Sequence, residues 1–517
     1  MRLFFVKYWP IYLLLALSVL GQSFVVLQSK DFLVSSILPD DAFYYLQIAK
    51  NISVGNNSTF DGVNLTNGYH PLWMVINVAV FSILGQSVVD PMLPIRVLLF
   101  ISVALNFLTA FIVFLILRCF TDQRWLWVLG LFLWLFNPFV VAESLNGLET
   151  SLSLFFISLV FYLFLRFKEK NVSVWLGVCS GLMILARLDN VFYFLVLFLW
   201  LGFEAYQTKK YRQWLVVGML ATLVAMPWFV WNYFTFGMFS TSAANTASLV
   251  THQLVYQDNT ATWWLWPKTV LYMTNLDARQ VLNQTGAPEV MLFLVGLLLG
   301  VLLMGGYLKK VDWKNPSPLA VLFCGWVVMF LANSSWRWVG RSWYFIAFNL
   351  FLIYLLIWMK DKIKDKINFN RIFLLPVFLL ILFFFALGWK RDIVGSHAPQ
   401  LTMLEASRWE DENLPDGSVI GVFNAGVQGY FSKHRVVNLD GLVNNKASEA
   451  IVGRRLGAYI VDNVDYVSDF QIYLNYRYKG FMGDVDIDSK IELLEQVGSG
   501  VELYGDDSGI SIYKIKS

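Results

Sequence analysis

Apolar segments approaching the thickness of a bilayer recur along this chain as far as residue 389, and Lys and Arg fall in alternate gaps between them. The segments lie near 9–28, 71–86, 92–117, 125–142, 150–167, 174–187, 190–206, 212–233, 288–308, 317–333, 342–359 and 371–389. A hydrocarbon core of about 30 Å is crossed by about 20 apolar helical residues. With 57% of 517 residues hydrophobic and only 15% charged, a soluble core could not hide so much apolar surface. The chain is therefore read as polytopic. Its net charge of +3 says little about partners, and no nucleic-acid ligand is expected. Cys119, Cys179 and Cys324 lie in or beside apolar runs, so no disulfide framework is indicated. Arg2 and Lys7 precede an apolar stretch with no small-residue cleavage site, which predicts an uncleaved first helix.

The charge alternation fixes a topology. Basic connections hold Arg118 and Arg124, then Arg166, Lys168 and Lys170, then Lys209, Lys210 and Arg212, then Lys309, Lys310 and Lys314, and finally Lys360 to Arg371. The positive-inside rule puts them in the cytoplasm with the N-terminus. If every marked segment crossed, the basic loops after residue 117 would face outward. The pattern agrees if 71–86, which is short, opens with Pro71 and carries Asn77, is an interfacial or re-entrant helix. About eleven spans remain. Residues 29–91 then form the first external loop, within a membrane catalytic domain of residues 1–389.

Residues 390–517 differ, with 13 Lys and Arg against 19 Asp and Glu, a net of −6. Alternating runs at Val419–Phe423, Val436–Leu439 and Ile510–Tyr513 predict strands, and 400–412 and 446–461 read as helical. The expected fold class is an all-α polytopic membrane domain followed by an extracytoplasmic α/β domain.

This topology gathers polar groups on one face. Asp40, Asp41, Asp61 and His70 lie in the first external loop. Glu143, Asn146 and Glu149 follow at the next external turn, and Arg187, Asp189 and Asn190 at another. Lys268 and Arg279 lie in segment 234–287, and Arg337, Arg341 and Tyr344 near residue 340. A carboxylate can serve as general base toward an acceptor hydroxyl, while Arg and Lys stabilise a phosphate leaving group. The pair also suits a place outside the membrane, because a charge at the bilayer centre costs at least about 3 kcal/mol. A divalent cation, Mg or Mn, would draw on Asp40, Asp41 and Glu149. Structural roles compete with these readings. The acidic pair fits a helix cap, Glu149 a helix N-terminal carboxylate, His70 a turn residue, and the arginines headgroup anchors. Trp263, Trp264 and Trp266 fit an interfacial belt.

These residues resemble the GT-C superfamily of polytopic glycosyltransferases, above all the arabinofuranosyltransferase and mannosyltransferase-like type. Asp40-Asp41 is similar to that superfamily's acidic pair, whose first Asp usually acts as base. Gly68-Tyr69-His70-Pro71-Leu72-Trp73 resembles the His-Pro-Pro-Leu type motif of protein mannosyltransferases, departing from it by a single Pro and by Trp73. Gly147-Leu148-Glu149-Thr150 is similar to a second acidic motif, and Arg341-Ser342-Trp343-Tyr344 to an Arg/aromatic motif near the donor phosphate. Asn438–Asn444 resembles a recurrent stretch of the external domain. The resemblance implies a bacterial inner-membrane enzyme that moves a sugar, with inversion, from a polyprenyl-phosphate donor to a glycan, glycolipid or protein acceptor. Asp40 and Asp41 would be catalytic, with Asp40 the base that the resemblance implies and the residues alone leaving open which of the two it is; His70, Glu149, Arg187, Lys268, Arg337, Arg341 and Tyr344 would bind substrate. The alternative is a transporter or flippase of lipid-linked sugars, whose charges would sit nearer the bilayer midplane.

Overall fold

The computed structural model describes residues 2–85, 90–167, 172–256, 318–335, 341–344, 346–362, 388–389, 393–503 and 506–516. The expected span 288–308 and nearly all of 371–389 lie outside the described residues, as do Lys268, Arg279, Arg337 and the tryptophans at 263, 264 and 266.

Among the described residues, four helices are long and apolar enough to cross a membrane. They fall within α1 (Arg2–Val26), α5 (Met92–Phe120), α10 (Val191–Thr208, extended by a 3-10 turn at Leu188–Asn190) and α11 (Tyr211–Phe236). Shorter apolar helices accompany them: α8 (Thr150–Leu165), α9 (Val172–Ala186), α13 (Pro318–Ser335) and α14 (Phe348–Lys362). The single segment expected at 125–142 is instead broken into α6 (Arg124–Leu135) and α7 (Pro138–Ser144), bent by 56°. Pro138 forces Asn137 out of the helical region, and the Asn137 side chain then accepts hydrogen bonds from Phe139 and Val140 to start α7.

Between α1 and α5 lie α2 (Lys30–Ser36), α3 (Asp40–Ser53) and α4 (Pro71–Leu84). At about 1.5 Å per residue, the 14 residues of α4 reach about 21 Å, short of a hydrocarbon core. Pro71 suits the first helical position because the amide it lacks would have no partner there. One further helix, α12 (Ser242–Tyr256), follows α11.

The C-terminal sheet domain opens with α15 (Pro399–Asn413). Its strands are β1 (Val419–Val422), β2 (Arg435–Asn438), β3 (Tyr466–Phe470), β4 (Ile491–Leu503) and β5 (Asp506–Ile515), in the order β2-β1-β3-β5-β4. β1 pairs in parallel with β2 and β3, while β5 runs antiparallel between β3 and β4. Helical crossovers are what parallel pairs require. They are α16 (Gly426–Phe431) after β1, then α17 (Asn445–Val452) and α18 (Leu456–Asn463) after β2. The helix expected at 446–461 is thus two, separated where Arg454 takes φ of 51°. In open parallel sheets, ligands collect beyond the carboxyl ends of the strands. Here those ends bring Asn424, Asp440 and the segment after Phe470 to the cavity that α3 also lines.

Candidate active site

Asp40 and Asp41 open α3, with Pro39 as the N-cap and no side-chain cap bond. The acidic pair therefore does not cap the helix. Its two members, about 100° apart around a helix, have different fates. The Asp40 carboxylate accepts the backbone N–H of Gly426 at 3.0 Å and of Val427 at 2.8 Å, both from the start of α16. Burial raises its pKa to about 7, against the lowering effect of those two amides. Asp41 lines a cavity of about 770 Å³ and makes no side-chain hydrogen bond among the described residues. Burial raises its pKa too, opposed by the positive charges of Arg341 and Arg477.

Glu149 is 3% exposed and sits at the N-cap of α8, yet its carboxylate caps nothing. Oε2 accepts the Tyr45 hydroxyl at 3.0 Å, and Oε1 lies 3.4 Å from His70 Nε2 and 3.9 Å from Arg187. His70 Nδ1 accepts the Leu188 backbone N–H at 3.1 Å, which leaves the proton on Nε2 facing Glu149. Burial lowers the His70 pKa, against the pull of Glu149. The Tyr45 oxygen in turn accepts the His70 backbone N–H at 2.9 Å, and burial raises the Tyr45 pKa so that its hydroxyl stays a donor. Arg187 Nε donates to Asp189 at 2.8 Å, and its Nη1 donates to the Trp343 carbonyl at 2.8 Å. Its guanidinium lies 4.4 Å from the Tyr344 ring centroid. Four sequence-distant turns thus meet through one buried acid and one buried base.

The sheet domain completes the cavity. Asp440, buried with its pKa raised to about 7 by desolvation, accepts the Tyr44 hydroxyl at 3.2 Å and the Leu442 N–H at 2.8 Å. Asp469 accepts three backbone N–H groups from Phe423, Asn424 and Phe470 and so fixes the turn after β1. Beyond β3 a π turn, Tyr473–Arg477, closes with the Tyr478 N–H on the Tyr473 carbonyl at 2.9 Å. It brings Tyr473, Tyr476, Arg477 and Tyr478 to the cavity together; such turns recur at functional sites. The approach is close enough that side chains are excluded at two glycines. A methyl group on Gly68 would strike the Leu442 carbonyl, and one on Gly426 would strike Asp40.

Of the residues singled out in the sequence, Asp41, His70, Glu149, Arg187, Asp189, Arg341 and Tyr344 line this cavity, and Asp40, next to Asp41, does not. Arg341 is exposed at the rim. Lys268 and Arg337 are not described. Tyr44, Tyr45, Asn424, Arg477 and Tyr478 were not anticipated. The run Tyr473-Leu474-Asn475-Tyr476-Arg477-Tyr478 carried a signal in its aromatic density, and Asp440 lay inside the stretch already noted at 438–444. Asp40, Asp41 and Glu149 do not fit a shared divalent cation. Both Asp40 oxygens face backbone N–H groups, and both Glu149 oxygens face donors. No group of three or more His, Cys, Asp or Glu side chains converges among the described residues.

The architecture matches known membrane enzymes. ArnT from Cupriavidus metallidurans bound to undecaprenyl phosphate superposes with a TM-score of 0.56 at 12% identity, over 98% of each chain. The same protein in its apo state gives a TM-score of 0.55. The chain has the GT-C fold. The Archaeoglobus fulgidus oligosaccharyltransferase, in complex with Zn and sulfate, gives a TM-score of 0.56 at 16% identity, over 92% of this chain and 70% of that one. Residues 392–510 match a domain of unknown function, DUF8728. No curated protein matches the sequence. The GT-C fold fixes the architecture as a multi-pass membrane domain carrying a C-terminal sheet domain; at these identities it leaves the chemistry to be argued from the site.

Proposed function

We propose that this protein is an inverting glycosyltransferase that moves a sugar from a polyprenyl-phosphate donor to a hydroxyl acceptor of the cell envelope. The observation that carries this reading is the mixed lining of the cavity. Val191 and Phe192 of α10, Phe229 of α11, and Ala244, Ala247 and Val250 of α12 give it apolar surface. The same cavity is lined by Asp41, which feels the positive charges of Arg341 and Arg477, and by Glu149, His70 and Arg187. An amphiphile that joins an apolar tail to a sugar through a phosphate fits that lining. By the positive-inside pattern the cavity faces outward from a bacterial cytoplasmic membrane.

Asp41 takes the acceptor O–H proton. The acceptor oxygen bonds to the anomeric carbon as the bond from that carbon to the phosphate oxygen breaks, and polyprenyl phosphate leaves with the electron pair. Arg341 and Arg477 offset the charge that it gains. Asp40, which the resemblance made the base, holds the sheet domain by two amides; Asp41 is the member of the pair that lines the cavity and makes no side-chain hydrogen bond among the described residues. Glu149 keeps the His70 tautomer and the Arg187 guanidinium in place.

The test is turnover by purified protein with a panel of polyprenyl-phosphate sugars and a glycolipid acceptor extract, reading released polyprenyl phosphate. Transfer by wild type with loss of at least about 100-fold in Asp41→Asn supports the assignment. Equal turnover in both removes Asp41 as base. Donor movement across vesicles without release, unchanged in Asp41→Asn, would establish the transporter reading instead.

A further inference from the structure

Asn333 lies near the C-terminal end of α13, is 1% exposed and lines the cavity. Neither its Nδ2 nor its Oδ1 has a hydrogen-bond partner among the described residues. The other buried amides around the site are engaged. Asn67 Nδ2 donates to Asn232 Oδ1 at 2.8 Å, Asn190 Nδ2 to Ser153 and the Met183 carbonyl at 2.9 Å each, and Asn146 Nδ2 to Glu143 at 3.0 Å. An amide orphaned at both ends is rare in a folded interior, because each unmet group loses its hydration without return.

The chemistry of the missing partner can be specified. A phosphate only accepts hydrogen bonds, so it would serve Nδ2 and leave Oδ1 unmet. An apolar chain would serve neither. A sugar hydroxyl both donates and accepts, and a neighbouring pair of hydroxyls meets both ends of one amide. α13 packs on α10, where Gly325 meets Tyr193, and α10 also brings Val191 and Phe192 to the cavity wall. Asn333 therefore comes to the cavity on a helix packed against α10, which gives the cavity apolar surface, and not on the sheet domain.

We propose that Asn333 reads the hydroxyls of the donor sugar and sets which sugar is transferred. This rests on the glycosyl-transfer reading. A site that hydrogen-bonds a hydroxyl rejects an analogue lacking it far more strongly than an apolar pocket discriminates by size.

The experiment compares wild type, Asn333→Ala and Asn333→Leu on polyprenyl-phosphate sugars in which one hydroxyl at a time is removed or inverted. Wild type should prefer the intact sugar over at least one analogue by about 100-fold or more in kcat/KM. In both variants that preference should fall close to unity, mainly through loss on the intact sugar. Without donor, Asn333→Leu should melt at the same temperature as wild type or higher, since it removes an unmet polar group; an Asn kept for the fold would give a lower one. Turnover with the hydroxyl preference unchanged in the variants overturns the inference alone. No turnover by wild type with any member of the series overturns the glycosyl-transfer reading and this inference together.

Discussion

Asp40 and Asp41 are adjacent in sequence, yet Asp40 is held by the Gly426 and Val427 amides while Asp41 lines the cavity with no side-chain hydrogen bond among the described residues. The two should separate on mutation. Asp41→Asn should lower kcat by 10²–10⁴, the usual range for a positioned base, and leave the melting temperature near wild type. Asp40→Asn turns an amide toward two N–H donors and should cost about 1–3 kcal/mol of stability, with a smaller fall in kcat. Thermal unfolding in detergent beside steady-state kinetics checks both, and the reverse pattern would return the base to Asp40.

The acid limb of the pH–rate profile should reflect Asp41. Burial raises its pKa, and the Arg341 and Arg477 charges restrain that rise. Arg341→Gln removes one restraint and should move the limb to higher pH. A limb that stays in place would show that Asp41 is not the titrating group.

Asp440 and Asp469 each ionise near pH 7 when folded, because burial disfavours their charge, and near pH 4 when unfolded. Between those values the unfolded chain releases protons that the folded chain keeps. Stability should therefore fall as pH rises from about 4 to about 7 and level off above. Unfolding of wild type against Asp440→Asn and Asp469→Asn measures this; a slope equally steep in the variants would assign it to other groups.

Glu149 and Arg187 form a buried pair of charges, each 3% exposed. Arg187→Met leaves Glu149 with only neutral partners and should cost about 3–5 kcal/mol. Glu149→Gln should cost about 1–3 kcal/mol and free the His70 ring, whose rotation amide and imidazole NMR signals would register. An unchanged ring environment would exclude a positioning role for Glu149.

Chelation should not stop the reaction. The oxygens of Asp40 and Glu149 are already matched to donors, so activity should survive excess EDTA within about twofold of the untreated enzyme. Loss restored by Mg or Mn would place a cation at Asp41.

Local pattern foretold local structure well. The alternation at 419–423, 436–439 and 510–513 became β1, β2 and β5, and 400–412 became α15. β3 was hidden because all its residues, Ser468 and Asp469 included, are buried, so the period of two never appears. β4 was hidden by register shifts between Leu493 and Glu495 and between Ser499 and Leu503. The break at Asn137-Pro138 was legible as a proline but was passed over inside an apolar run. Within the site, the acids and bases of the membrane part stood out because charge is scarce there. Arg477 and Asp440 did not, because the sheet domain is rich in charge and only the folded chain sets these two beside Asp41.

The Asp40–Gly426 hydrogen bond spans 386 residues of sequence. At roughly 5–20 residues per second, about 20–80 s of synthesis separates its two halves. The carboxylates between α1 and α5 are thus made long before Arg477, and the cavity gains its last walls only once the sheet domain has been synthesised.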